Sequence, residues 1–225
     1  MQTKHPTTAA RKARVFLVED HPVVCEGLKL LIGGDSNLAV CGSAFSIAEA
    51  KSRIRELSPD MILIDITLGD GNGLDLIKEL HQQNPKLLMI ALSMHDESVY
   101  AERALRAGAR GYIMKSETMD TIRTAIHHVL AGEIHVSEKM VSRMLHKLAT
   151  QRVPDQACSV NALSDREFQV FSQIAEGVGP TEIARRLNVS VKTVETHREH
   201  IKDKLDLKSG SELARYAMQW QSERR

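Results

Sequence analysis

No run of apolar residues is long enough and free enough of charge to span a bilayer, and Met1 to Lys12 are polar, without the hydrophobic stretch of a secretory signal. A protein that stays in the cytoplasm is therefore expected. Cysteine is scarce. Cys25, Cys41 and Cys158 are odd in number and fit neither a zinc site nor a CxxC redox pair, so a disulfide framework is excluded and reduced thiols are expected. Low-complexity tracts and internal repeats are also lacking, which removes fibrous and solenoid architectures. Nor is there an excess of either charge. With a net charge of +1 over 225 residues, any argument for nucleic acid has to rest on local placement.

The length suits two small domains. In the first half, short apolar runs alternate with helical periodicity, the βα alternation of a parallel sheet covered on both faces. Strands are expected at 14–19, 38–44, 61–65, 87–93 and 111–115, and helices at about 22–32, 46–57, 73–83, 97–107 and 118–131. Pro59-Asp60, Asn84-Pro85 and Ala107-Gly108 punctuate the connections. The expected class is α/β, a flavodoxin-like doubly wound (βα)5 domain, followed by a small all-α domain. The divisions are a disordered segment 1–13, the (βα)5 domain 14–132, a linker helix and linker 133–160, and a helical domain 161–225 with helices at about 164–176, 180–187, 191–205 and 209–220. Residues 14–131 carry a net charge of −4, so the first domain is not expected to touch DNA, whereas 161–225 carry +1.

Open α/β sheets bind ligands at the carboxyl edge, beside the topological switch point. In the strand order 2-1-3-4-5, that edge gathers Glu19 and Asp20 next to Asp65, then Ser93 and Lys115. Three crowded carboxylates need a cation, and hard oxygen ligands suit Mg²⁺, which leaves room for a phosphoryl group. Asp65 is then a nucleophile toward a phosphoryl donor. Lys115 stabilises the transferring charge and Ser93 offers a hydroxyl. A haloacid-dehalogenase-type phosphatase would need a second Asp where Thr67 stands. Gly69, Gly71 and Gly73 have the wrong spacing, and follow the wrong strand, for dinucleotide binding. The domain reads as a switch and not an enzyme.

At VEDHP (18–22), LIDITLGDGNG (63–73), ALS (91–93) and GYIMK (111–115), the sequence resembles the receiver domain of the NarL/FixJ family of two-component response regulators. The resemblance implies that Asp65 is the phosphoacceptor, that Glu19 and Asp20 bind Mg²⁺ with the Thr67 carbonyl completing the site, that Ser93 and Tyr112 form a switch pair, and that Lys115 holds the phosphoryl group. A departure is Gly69, where the family usually has proline; it is expected to loosen the loop beside Asp65 without removing a ligand.

In the helical domain, Ile183, Ala184 and Leu187 line one helix and Val191, Val194, Ile201 and Leu205 a second. Asn188-Val189-Ser190 forms the turn between them, with Ser190 as N-cap. This resembles the LuxR-type helix-turn-helix. Lys192, Arg198 and Lys202 are expected at phosphates, and Thr193, Thr196 and Glu199 are further DNA-facing candidates, with Thr196 and Glu199 best placed for base edges. Glu195 and Glu199 either accept from cytosine or orient Arg198 and Lys202. His197 is expected on the packed side, and Arg166 and Glu167 are expected to tie the helices together. Departures are Gly179-Pro180, which fits a cap followed by Pro at N1, and Gly210, which removes a charged contact. The partners expected are a histidine kinase, promoter DNA, a second copy of the chain in the active form, and RNA polymerase. The rival reading is a phospho-switched module whose helical domain binds a protein.

Overall fold

The computed structural model describes residues 11–94, 97–149 and 160–222. Residues 1–10 of the expected N-terminal segment, the linker residues 150–159 and Cys158 lie outside them.

The first domain runs β1 (Ala13–Val18), α1 (Pro22–Gly33), β2 (Leu38–Ala44), α2 (Ile47–Leu57), β3 (Met61–Asp65), β4 (Thr67–Leu68), β5 (Gly71–Asn72), α3 (Gly73–Gln83), β6 (Leu88–Ser93), α4 (Glu97–Ala107), β7 (Gly111–Met114) and α5 (Met119–Leu130). The main sheet is parallel in the order β2-β1-β3-β6-β7, which is the expected 2-1-3-4-5 once the two-residue strands β4 and β5 are set aside. Alternation along each strand divides the core. Val15, Leu17 and Leu63 pack under α1 and α5, whereas Phe16, Val18, Ile62 and Ile64 pack under α2, α3 and α4. Every residue of β3 is buried, as a central strand covered on both faces requires.

The antiparallel pair β4 and β5 pinches the loop after Asp65, with Thr67 opposite Asn72 and Leu68 opposite Gly71. Asn72 then caps α3 by accepting from Leu74 N at 2.8 Å. Gly73 is required here. A Cβ at this position would lie 2.0 Å from the Asp65 carbonyl oxygen, so only glycine lets α3 start directly beneath the phosphoacceptor candidate. Beyond α5, His135 extends the sheet by one residue: its N–H donates to Arg110 O at 2.9 Å and its carbonyl accepts from Tyr112 N at 3.0 Å. The linker helix expected within 133–160 is α6 (Glu138–Ala149), packed against α4.

The second domain comprises α7 (Asp165–Ala175), α8 (Pro180–Arg186), α9 (Val191–Leu205) and α10 (Gly210–Ser222), preceded by a 3-10 turn at Val160–Ala162. A capping box of Ser164 and Glu167 starts α7, and Pro at N1 starts α8 after Gly179. Arg166 and Glu167 tie the helices as expected. Arg166 Nη2 donates to Leu187 O at 2.8 Å, and Lys204 Nζ lies 2.6 Å from Glu167 Oε2.

The helical domain is seated on α4 and on the loop after β3. Tyr100 of α4 meets Phe168 of α7 edge-on at 5.1 Å, and Phe168 in turn meets Trp220 at 5.7 Å. The apolar cluster under α2, α3 and α4 thereby continues into the second domain. Arg103 of α4 lies 3.8 Å above the Phe168 ring, pairs with Asp165 at 2.9 Å, and donates to Val160 O at 2.8 Å and Leu163 O at 3.0 Å. Two amide side chains reach the loop itself: Gln169 Nε2 donates to Ile66 O at 3.2 Å and Asn188 Nδ2 to Gly69 O at 3.2 Å.

Candidate phosphorylation and DNA-binding sites

The parallel register brings β1, β3 and β6 to an end together: Val18 pairs with Ile64, Asp65 with Leu92, and Ser93 with Met114. Glu19 and Asp20 follow β1, and Lys115 follows β7, so the five residues expected at the carboxyl edge meet there. Glu19 and Asp65 are fully buried. Lys115 Nζ lies 2.8 Å from Glu19 Oε1, 2.7 Å from Glu19 Oε2 and 2.8 Å from Asp65 Oδ2. Thr67 N donates to Asp65 Oδ1 at 3.0 Å.

Burial drives the Asp65 carboxyl up to about 6, with the Lys115 ammonium opposing the rise and the Glu19 carboxylate adding to it. Burial also works against the Lys115 ammonium, but Asp65 and Glu19 outweigh it and hold that group above its usual range. The pocket is thus two buried carboxylates sharing one buried ammonium, a set short of positive charge.

Glu19, Asp20, His21 and Asp65 each present a ligand atom within 4.8 Å of the others. Asp20 Oδ2 accepts from Gly69 N at 2.8 Å, whereas Oδ1 is buried with no donor aligned on it. Hard oxygen donors, a charge deficit and a buried carboxylate oxygen aimed into the cluster fit a small divalent cation. His21 was not among the expected ligands. Its Nδ1 lies 2.9 Å from both Glu19 Oε1 and Asp20 Oδ1, and its place directly after the acidic pair in VEDHP was the available signal.

The loop at Gly69, which the absence of proline is expected to loosen, is held from both sides. The N–H that a proline would lack is held by Asp20, and the carbonyl is held by Asn188. Ser93 and Tyr112 are both buried and, two residues apart in register across β6 and β7, lie on the same face of the sheet.

In the helical domain, Ser190 caps α9 by accepting from Thr193 N at 3.0 Å, and its hydroxyl meets that of Thr193 at 2.8 Å. Val194, Ile201 and Leu205 are buried, whereas Val191 is 42% exposed. The first residue of the helix therefore faces out instead of lining the core as expected. Lys192, Glu195, Thr196 and Glu199 are exposed. Glu199 pairs with Lys202 at 2.7 Å and Glu195 with Arg198 at 3.4 Å, which favours the orienting role for both carboxylates. Thr196 Oγ1 donates back to Lys192 O at 3.0 Å. His197 is half-buried with Nδ1 in the packed interior, and burial holds its imidazole below the usual range.

Residues 15–127 match the response regulator receiver domain, and residues 161–217 match the bacterial regulatory proteins of the luxR family. The oxygen regulatory protein NreC of Staphylococcus aureus (strain JH9) is 34% identical over 209 residues, 91% of this chain and 96% of that protein. A two-component response regulator of the LuxR family from Aurantimonas sp. SI85-9A1 is 33% identical in sequence, with a TM-score of 0.55 over 64% of this chain and 99% of its own. A structure of two RcsB dimers bound to two parallel DNAs is 25% identical, with a TM-score of 0.57 over 92% of this chain and 98% of its own. The buried acid cluster, the parallel sheet that assembles it, the capped recognition helix and these matches place the chain in one family: it belongs to the two-component response regulators of the NarL type, in which a receiver domain is followed by a LuxR-type DNA-binding domain.

Proposed function

We propose that Asp65 accepts a phosphoryl group from a histidine kinase, and that this event controls how the helical domain engages promoter DNA. The observation that carries the reading is Lys115 Nζ held 2.8 Å from Asp65 Oδ2 beside a cluster of buried acids. A carboxylate oxygen of Asp65 attacks phosphorus as the bond to the donor histidine nitrogen breaks, and the electron pair leaves with that nitrogen. Glu19, Asp20, Asp65 and the Thr67 carbonyl would hold Mg²⁺, which when bound neutralises charge on the phosphoryl oxygens. Lys115 stabilises the same oxygens, and the Ser93 hydroxyl moves toward the phosphoryl group while Tyr112 follows, shifting a pre-existing equilibrium.

On the DNA side, Lys192, Arg198 and Lys202 contact phosphates, Thr193 sits at the capped end of the recognition helix, Thr196 faces base edges, and Glu199 lies on the same DNA-facing side, where it orients Lys202. The active form is a homodimer, because the similar RcsB structure holds dimers on DNA. Two recognition helices then read half-sites about one helical turn apart. RNA polymerase is the next partner at a promoter, and the cytoplasm is where kinase and DNA are both met. Among the described residues, no helix is long and apolar enough to cross a membrane.

The test is a mobility shift against genomic fragments with and without Mg²⁺ and beryllofluoride. Selective retention that strengthens with the phosphoryl mimic is expected. Failure to retain any fragment in either state would overturn the reading in favour of a protein-binding module. On one selected fragment, Lys192→Ala should weaken binding to every sequence alike and lower the salt slope by about 1. Thr196→Ala should instead alter preference at particular base pairs by about 1 to 3 kcal/mol with the slope nearly constant. Single-base variants titrated at two salt concentrations separate the outcomes.

A further inference from the structure

The loop that begins at Asp65 is held by groups from both domains, and one of its residues is the glycine that departs from the family pattern. Gly69 N donates to Asp20 Oδ2 at 2.8 Å, which turns the other oxygen, Oδ1, into the acid cluster. The carbonyl of the same residue accepts from Asn188 of the helix-turn-helix turn, and three residues earlier Ile66 O accepts from the buried Gln169 amide of α7. Asn188 is fixed for this by its own backbone: its φ of 50° is the left-handed conformation that closes the turn between α8 and α9.

We propose that Gly69 and Asn188 are positioning residues for the receiver's cation, so that the helical domain takes part in presenting Asp20 to Mg²⁺. The inference rests on the magnesium reading above. An aspartate held by a backbone N–H has fewer orientations to lose when it takes a ligand, so breaking the chain Asn188–Gly69–Asp20 turns preorganisation into an ordering cost at the moment of binding. Because coupling is reciprocal, Mg²⁺ should in turn favour the docked helical domain.

The substitutions that test this are set by local geometry. Gly69→Pro removes the donor, and Leu68 before it is already extended in β4, as a residue preceding proline must be. Gly69→Ala keeps the donor, and its Cβ would meet Asp20 Oδ2 at 3.4 Å and Asn188 Nδ2 at 3.8 Å, ordinary contact distances. Asn188→Gly deletes the amide while keeping the left-handed backbone unstrained. Mg²⁺ is titrated calorimetrically into the full-length unphosphorylated protein.

Gly69→Pro should weaken Mg²⁺ binding about three- to tenfold and Asn188→Gly about two- to threefold, with Gly69→Ala restoring the wild-type value. Mg²⁺ should also slow amide hydrogen exchange at the start of α7 in the wild type, and do so less in Asn188→Gly. Wild-type affinity in both Gly69→Pro and Asn188→Gly overturns the proposal, and loss in Gly69→Pro alone overturns the part given to the helical domain. Asp20→Ala separates this from the reading beneath it: if that variant binds Mg²⁺ as the wild type does, the metal site itself is misassigned.

Discussion

Asp65→Asn is expected to abolish phosphoryl incorporation from a kinase or a small phosphodonor, because an amide oxygen of the same shape is too weak a nucleophile at phosphorus. It should also make the protein more stable. The Asp65 carboxyl titrates near 6 in the fold against 3.8 as the ordinary value, so ionised Asp65 opposes folding once the pH exceeds both values. That opposition is on the order of 2 to 3 kcal/mol in metal-free protein at neutral pH. The sign follows from proton binding: between about pH 4 and 6 the folded state holds the proton that the unfolded state has released, so wild-type stability falls as pH rises through that window. Asparagine has no charge to bury. The variant should therefore melt above the wild type at pH 7 without Mg²⁺, and the two should converge near pH 4. Intact mass after incubation with phosphodonor checks the first effect and paired melting curves the second. Equal phosphorylation of wild type and variant would remove Asp65 from its role, and an unchanged melting temperature at pH 7 would show that burial is not what perturbs it.

The second large effect is expected at Arg103. Its guanidinium combines an ion pair to Asp165 in which both side chains are mostly buried, two backbone carbonyl acceptors and the Phe168 ring. Partly buried charge-assisted contacts of this kind contribute far more than surface pairs. Arg103→Ala should weaken docking of the helical domain by about 2 to 4 kcal/mol, while leaving each domain folded around its own core. Solution scattering should show a larger radius of gyration, and hydrogen exchange should quicken at the start of α7 but not in β3. Arg103→Lys should fall between, since an ammonium keeps the charge but not the fork that reaches Val160 and Leu163 together. Scattering profiles identical for wild type and Arg103→Ala would mean that the Tyr100 and Phe168 contact suffices on its own.

What could be read from the chain follows the range of the forces involved. The main strands and the helices have apolar periods of several residues, and the acid edge follows from parallel strands sharing one direction, so Glu19, Asp20, Asp65, Ser93 and Lys115 converge as their places in sequence imply. The pair β4 and β5 was not foreseen, because two residues cannot display a period. His135 joins the sheet by one residue from beyond α5, again without pattern. Val191 fits the apolar period of α9 yet is exposed, because the first residue of a helix has no preceding turn to cover it. The interdomain contacts of Arg103, Gln169 and Asn188 depend on where the two domains meet, and their partners lie 57 to 119 residues away. Gly69 stands out in the sequence as a departure from the family pattern, but its contact is with a carboxylate 49 residues away.

Docking also leaves most of α9 open to solvent, with Lys192, Glu195, Thr196 and Glu199 exposed while α7 and the preceding turn are seated on the receiver. The receiver therefore acts less as a cover than as a mount that fixes the bearing of the recognition helix. In a pair of chains, two such mounts set a single separation and angle between the reading heads. A tethered head freed from its mount samples many bearings at a local concentration set by the linker, and trades geometric selectivity for reach. Tightening or loosening the mount would then change which half-site spacings are tolerated before it changed the affinity for any one half-site.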